Sequence, residues 1–336
     1  MERQLNWKGE FFLCLYLPPP PEIDLNYYRQ VYPELNRFSD DVLREHYKRF
    51  AVEQGHSTCI YDRREYLQAL LQNAIAEKHV KALEISPANN PFIKGDSVKY
   101  FGIMDSEALK TNAEKSQRPV DRVPEKIHFV SPTGDLGVVD EKFDLVFSAH
   151  VIEHCPDLIE HFQGVSKILN KGGLYILIVP DKRYCFDYYH SESTLSEVID
   201  AFANERKFPR LADVINGIYT RTHNNAVMHW LGIHGERYGR RNTPPDPDGR
   251  AEIRGEYFQD DGKGVHGEGI LRLVEKYAES LEFGEYISAH NWRFTPDSFG
   301  YIIKTLNELK FIDLPLYRLC HTIWGRQEFI AMLEKL

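Results

Sequence analysis

An unbroken apolar run, Leu174-Tyr175-Ile176-Leu177-Ile178-Val179, follows the pair Gly172-Gly173. Side chains of a strand alternate between its two faces, so a run apolar at every position buries both. That is the pattern of a strand inside a parallel sheet covered by helices on each side. Other strand candidates precede it at residues 80–85, 97–103, 127–130 and 143–148, and a helical pattern fills 157–169. The alternation predicts a doubly wound α/β sheet. A helix over Pro296–Leu309 follows, then two strands, Phe311–Ile323 and Gln327–Leu333, joined by Trp324-Gly325-Arg326. So short a connection makes them an antiparallel hairpin.

The rest of the chain divides around this core. Pro18-Pro19-Pro20-Pro21 is stiff and marks a boundary between an N-terminal tail, residues 1–21, and a helical module, residues 22–62. In the module, Tyr27, Tyr28, Val31 and Tyr32 recur at helical spacing before Pro33. A second apolar face (Val42, Leu43, His46, Tyr47, Phe50) ends at Gly55, placed as a C-cap. Two short helices bury little alone, so the module is expected to dock on the larger domain, residues 63–336. Within that domain a helical insertion is expected over about residues 182–290, with a mobile loop where prolines, glycines and charges crowd residues 242–264.

Composition limits the partners. Fifty acidic against 41 basic residues give a net charge of −9, which repels phosphate backbones and argues against nucleic acid. The apolar stretch Phe11–Leu17 falls far short of the roughly 20 residues a membrane span requires, and reads as an N-terminal strand or anchor. Five scattered cysteines without a CxxC pair fit a reducing compartment, so a cytoplasmic location is expected. The chain contains no GxGxxG, which disfavours a nicotinamide dehydrogenase.

Chemistry is suggested by Ala82-Leu83-Glu84-Ile85-Ser86-Pro87-Ala88-Asn89-Asn90-Pro91, an apolar strand ending in an acid and read as turning tightly into a helix, whose N-terminus would face a ligand. This run resembles the "LEIGxGxxP" motif of the class I S-adenosylmethionine (SAM)-dependent methyltransferases. Lys142–His154 resembles that family's "FDxVxSxHVIEH", Leu169–Leu174 its "LKPGG" turn, and Pro180–Asp187 the "PDKRYTFD" run of one subgroup. The resemblance spans about 260 residues in correct order. It implies a Rossmann-like doubly wound sheet with a terminal antiparallel hairpin, SAM as cofactor, and a cofactor site drawn from Glu84, Ser86, Pro87, Ala88, Asp105, Ser148 and His150. Two departures stand out. Ser86, Ala88 and Asn89 replace the motif's glycines, with Asn89 or Asn90 expected to take the positive φ that glycine would supply. Gly102 stands where an acid should follow the second strand, leaving Asp105 nearest.

Methyl transfer to a hydroxyl benefits from a base, and His150, His154 and Asp181 lie at the carboxyl ends of the fourth and fifth strands, where a base belongs. His150-Val151-Ile152-Glu153-His154 also matches the zinc signature H-x-x-E-H, but that reading needs both histidines on one helix face and a third, distant ligand. Pro156 breaks such a helix, so no metal is expected. Residues 27–56 resemble modules found beside glycosyltransferase domains. The function implied is O-methylation of a saccharide or glycan intermediate, with a glycosyltransferase or glycan-assembly partner. Alternatives are methylation of an unrelated small molecule and a non-catalytic scaffold for glycan enzymes.

Overall fold

The computed structural model describes residues 23–51, 54–57, 63–78, 80–235, 266–284 and 287–336. The expected N-terminal strand and the loop over residues 242–264 lie outside them. The module holds α1 (Leu25–Val31), a 3-10 turn from Pro33 and α2 (Asp40–His46), capped by the side chains of Asp24 and Ser39. Its small core is Ile23, Tyr28, Leu35 and Leu43. The buried Tyr28 hydroxyl bridges His46 Nδ1 at 3.1 Å and His56 Nδ1 at 2.7 Å.

The larger domain begins with α3 (Arg64–Lys78) and continues through β1 (Ala82–Ile85), β2 (Val98–Gly102), α4 (Ser106–Lys115), β3 (Phe129–Val130), β4 (Phe143–Ala149), α5 (Leu158–Ile168) and β5 (Leu169–Pro180). Helices α6 (Leu195–Ala203), α7 (Leu211–Tyr219), α8 (Ala226–Trp230) and α9 (His266–Phe283) lie between β5 and the next helix. Then come α10 (Pro296–Glu308), β6 (Leu316–Cys320) and β7 (Glu328–Glu334). The strands make one 7-stranded sheet ordered β3-β2-β1-β4-β5-β7-β6. The pairs from β3 to β5 are parallel, and β7 runs antiparallel to both β5 and β6.

Alternation divides the core as the apolar runs require. Val146, Tyr175, Leu177, Val179, Phe329 and Ala331 join one cluster with α5 and α10, through Phe162, Val165, Phe299 and Ile303. Leu145, Phe147, Leu174, Ile176, Ile178 and Ile330 join the opposite cluster with Leu67, Leu71 and Ile75 of α3. A residue such as Leu177, 0% exposed, contributes roughly 2 kcal/mol through this burial.

Two expectations fail here. No helix follows β1: residues 86–97 run through turns directly into β2. Conversely, α4 was not anticipated, because its sequence SEALKTNAEK is largely polar and buries only Ser106 and Ala113. Gly55 packs against the turn between β6 and β7. Trp324 N donates to Gly55 O at 2.7 Å, and a Cβ on Gly55 would stand 2.5 Å from both Trp324 N and Trp230 Cη2.

Candidate active site

The parallel order reverses between β1 and β4, the place where open α/β sheets leave a crevice beyond their carboxyl ends. Ile85 pairs with Ser148 in the register, so the loop leaving β1 and the segment leaving β4 emerge side by side. Glu84 lies behind the loop, 4% exposed rather than half-open as a strand-end acid usually is. Its carboxylate accepts from Phe92 N at 2.9 Å and Ile93 N at 3.0 Å, holding the far end of the loop against β1. Burial pushes its pKa up to about 7, opposed by those two N–H donors and by Arg64.

In the loop, Ser86 has φ 54° and Ala88 φ 50°. These residues, not Asn89 or Asn90, adopt the left-handed conformation, and they occupy the positions where the family motif has glycine. Ser86 N donates to Phe101 O at 2.7 Å, and Asn90 N to Pro87 O at 3.2 Å. Ala88 is exposed and both side chains are small, so each adds little beyond a Cβ to what a glycine loop would present. The loop therefore fits a cofactor at the expected place, although no helix N-terminus points at it.

The other expected cofactor residues have local partners. Asp105 is exposed and caps α4, its Oδ1 accepting from Ala108 N at 2.8 Å. Ser148 is buried, and its hydroxyl is paired with Tyr175 Oη at 2.8 Å, which also meets His161 Nε2 at 2.9 Å. Asp181, 0% exposed, forms a two-pronged ion pair with Arg183 at 3.0 and 2.7 Å and accepts from the Thr322 hydroxyl at 2.7 Å. It braces the turn after β5.

His150 is different. It terminates β4 with φ 55°, and its ring is about a third exposed. Nε2 lies 2.6 Å from Glu328 Oε2, while Nδ1 lies 3.6 Å from Glu153 Oε1. Burial presses the imidazole pKa down, but the Glu328 hydrogen bond and the two carboxylates outweigh it, so the pKa stands above the ordinary 6.5. Glu328 opens β7 opposite Pro180, and Arg64 of α3 meets its other oxygen at 3.1 Å. Sequence reasoning missed Glu328 and Arg64. The only signal was the antiparallel hairpin, which returns the start of β7 to the carboxyl end of β5.

Glu153 and His154 stand in a 3-10 turn, Ile152–His154, and not on a long helix. His154 Nδ1 faces Ala289 O at 3.1 Å, and its ring stands edge-on to that of His290, centroids 4.8 Å apart. His290 Nδ1 meets Asp187 Oδ2 at 2.5 Å, and His190 Nδ1 meets Asp187 Oδ1 at 3.0 Å. Burial opposes ionisation of Asp187, but these histidines and Arg293 hold its pKa far below the usual carboxylate range.

Of the histidines and aromatics of the insertion, several pack on one another. Tyr184 stacks on Trp230 at 3.9 Å, Tyr188 stacks on His234 at 3.7 Å, and Trp292 is buried. Among the described residues no helix is long and apolar enough to cross a membrane.

The family model of a methyltransferase domain (Methyltransf_11) matches residues 92–177, which run from the end of the cofactor loop through β5. No curated protein matches the chain. Among solved structures, it is similar to a SAM-dependent methyltransferase from Clostridium acetobutylicum ATCC 824, at 9% identity and TM-score 0.38, covering 88% of this chain and 98% of that one. The CcbJ methyltransferase of Streptomyces caelestis follows at 13% identity and TM-score 0.24, covering 34% of this chain and 52% of that one. A glycopeptide N-methyltransferase, MtfA, solved with SAM, shows 16% identity and TM-score 0.22 over 30% of this chain and 47% of that one. The chain thus spans about half the length of the last two. Residues 92–177 thus match a methyltransferase domain, and the strand order with its reversed closing hairpin is that of the Rossmann-like class I methyltransferase fold.

Proposed function

We propose that the protein methylates a hydroxyl oxygen of a saccharide or glycan intermediate, with His150 as the base. The observation that supports this most is the position of His150. It leaves β4 at the switch point, beside the loop that leaves β1, with its ring partly exposed and held by Glu328. Ser86, Pro87 and Ala88 line the cofactor, Glu84 fixes their loop from behind, and Asp105 is the acid nearest the end of β2 that can face the same ligand.

SAM supplies an electrophilic methyl group on a positively charged sulfur. With Nε2–H donated to Glu328, the His150 Nδ1 lone pair is left to take the acceptor hydroxyl's proton, and bound SAM would supply the methyl group to that oxygen. The carboxylates of Glu153 and Glu328 stabilise the resulting imidazolium. A positioned base contributes about 100- to 10,000-fold in rate. His154 has its Nδ1 turned to a carbonyl, and Asp181 is closed by Arg183, so His150 is the better base of the three.

The saccharide is suggested by the module, whose residues resemble those beside glycosyltransferase domains. The same resemblance suggests a glycan-assembly partner, and the scattered cysteines without a CxxC pair suggest a cytoplasmic setting. Turnover with labelled SAM on panels of free sugars, glycosides and unrelated phenols tests both halves. Methyl incorporation into sugars, reduced at least about 100-fold in His150→Ala with S-adenosylhomocysteine affinity unchanged, is expected. Incorporation only into phenols would leave the unrelated small-molecule reading. Full turnover by His150→Ala would remove it as the base.

A further inference from the structure

Glu153 is 0% exposed, yet among the described residues neither carboxylate oxygen has a hydrogen-bond partner. An unpaired carboxylate in the interior carries a desolvation penalty of several kcal/mol, and structures rarely leave one without a cation or donors. The charged groups around it do not satisfy it. His150 Nδ1 stops at 3.6 Å, and Arg293 spends Nη1 on Asp213 at 2.7 Å while its Nε, 3.7 Å from Asp187, and its Nη2 make no hydrogen bond to Glu153 or to any other group among the described residues. Asn291, whose Nδ2 donates to the carbonyl of His154, also has an orphaned acceptor, Oδ1. Unpaired acceptors gathered in one place are suited to a bound cation.

The nitrogens beside Glu153 are arranged to match. One carboxylate oxygen of Glu153, one ring nitrogen of His154 and one of His290 lie within 4.8 Å of one another. Both Nδ1 atoms face acceptors, the carbonyl of Ala289 at 3.1 Å and the carboxylate of Asp187 at 2.5 Å. An Nδ1–H donated outward leaves the Nε2 lone pair for a metal, and a carboxylate or carbonyl behind the ring is the usual support of a metal-ligating histidine. Metal–nitrogen bonds of about 2.0–2.1 Å bring tetrahedral ligands to about 3.3 Å apart, so the side chains close by roughly an ångström on the ion.

We infer that Glu153, His154 and His290 form a binding site for a divalent transition metal ion, zinc being the best match to two imidazoles and one carboxylate. Three protein ligands leave a fourth position open, the arrangement of a catalytic rather than a structural site. The trio differs from the H-x-x-E-H reading of the sequence: the distant third ligand is His290, and His150 turns to Glu328 instead. The expectation of no metal rested on the missing helix, which this set of ligands does not need. In the methyl-transfer reading, on which this last step rests, the open position takes the acceptor hydroxyl and lowers its pKa beside His150.

The full chain, stripped with chelator, is titrated with zinc chloride and with manganese chloride, and metal content is measured after gel filtration. The expected result is about one zinc per chain, displacing manganese, with a rise in Tm. Glu153→Gln and His290→Ala each weaken zinc binding at least about 100-fold, and Asp187→Asn, which alters the carboxylate behind His290 without touching the ion, weakens it about 10- to 100-fold. No stoichiometric zinc on the parent, or unchanged affinity in folded Glu153→Gln and His290→Ala, overturns the site. S-adenosylhomocysteine binding is measured on the same samples. If it persists without metal binding, only this inference falls; if zinc binds and the nucleoside does not, only the methyl-transfer reading falls.

Discussion

Replacing Ser86 and Ala88 by glycine should stabilise the protein. Both stand in the left-handed region, at φ 54° and 50°, where an L-residue with a Cβ pays about 1–2 kcal/mol. Glycine removes that strain but has a more flexible unfolded chain, an opposing effect of about 0.4–1 kcal/mol. Ala88 is exposed and Ser86 half-buried, so little packing is lost. The net gain is about 0.5–1 kcal/mol at each site, and the double variant, whose two positions share one turn, gains no more than about 1–2 kcal/mol. Urea unfolding monitored by circular dichroism reads this as a raised midpoint at constant slope. Ala88→Val, which puts a β-branched side chain at positive φ, should lower the midpoint. A loss of about 0.5–1 kcal/mol on glycine substitution, as at an ordinary position, would refute the assignment of these two residues to the glycine conformations of the loop.

Two further perturbations probe the frame around the site. Gly55→Ala should loosen the module from the hairpin, since the added methyl meets Trp324 N and the Trp230 ring at 2.5 Å. Faster proteolysis between residues 51 and 64 would show it, and unchanged cleavage would contradict the docking contact. Glu84 has a pKa of about 7 in the folded state against 4.5 in the unfolded chain, so the native state holds the proton longer. Its contribution is full below pH of about 4.5 and falls by up to about 3 kcal/mol as pH rises to about 7. Glu84→Gln should lack that slope; parallel stability curves for parent and variant would show that the carboxyl is ionised throughout.

Much of the architecture was legible because it rests on local patterns. Strands β4 and β5 follow from apolar runs, the hairpin follows from its short connection, and α10 lies where a helix over Pro296–Leu309 was expected. Helix α4 was not legible, since a surface helix that buries Ser106 and Ala113 has almost no apolar stripe. The helix expected after β1 was inferred from the habit of α/β folds, and nothing in Ser86–Pro91 favours helix. In the site, His150, Glu84 and the loop could be placed because strand ends have a fixed position in such folds. Their partners could not. Glu328 lies 178 residues from His150, and Ala289 lies 135 from His154, and no periodicity encodes such pairings. The positive φ at Ser86 and Ala88 had a signal, since both fall on glycine positions of the motif. Asparagine's local propensity pointed elsewhere, and the register of the loop prevailed.

The most direct test of the central claim is calorimetric titration of the purified full chain with S-adenosylhomocysteine. The account predicts one site per chain, a rise in Tm of the liganded protein, and loss of both when Glu84→Ala releases the loop at Phe92 and Ile93. No heat and no thermal shift with the ligand at millimolar concentration, or an undiminished site in Glu84→Ala, would contradict it.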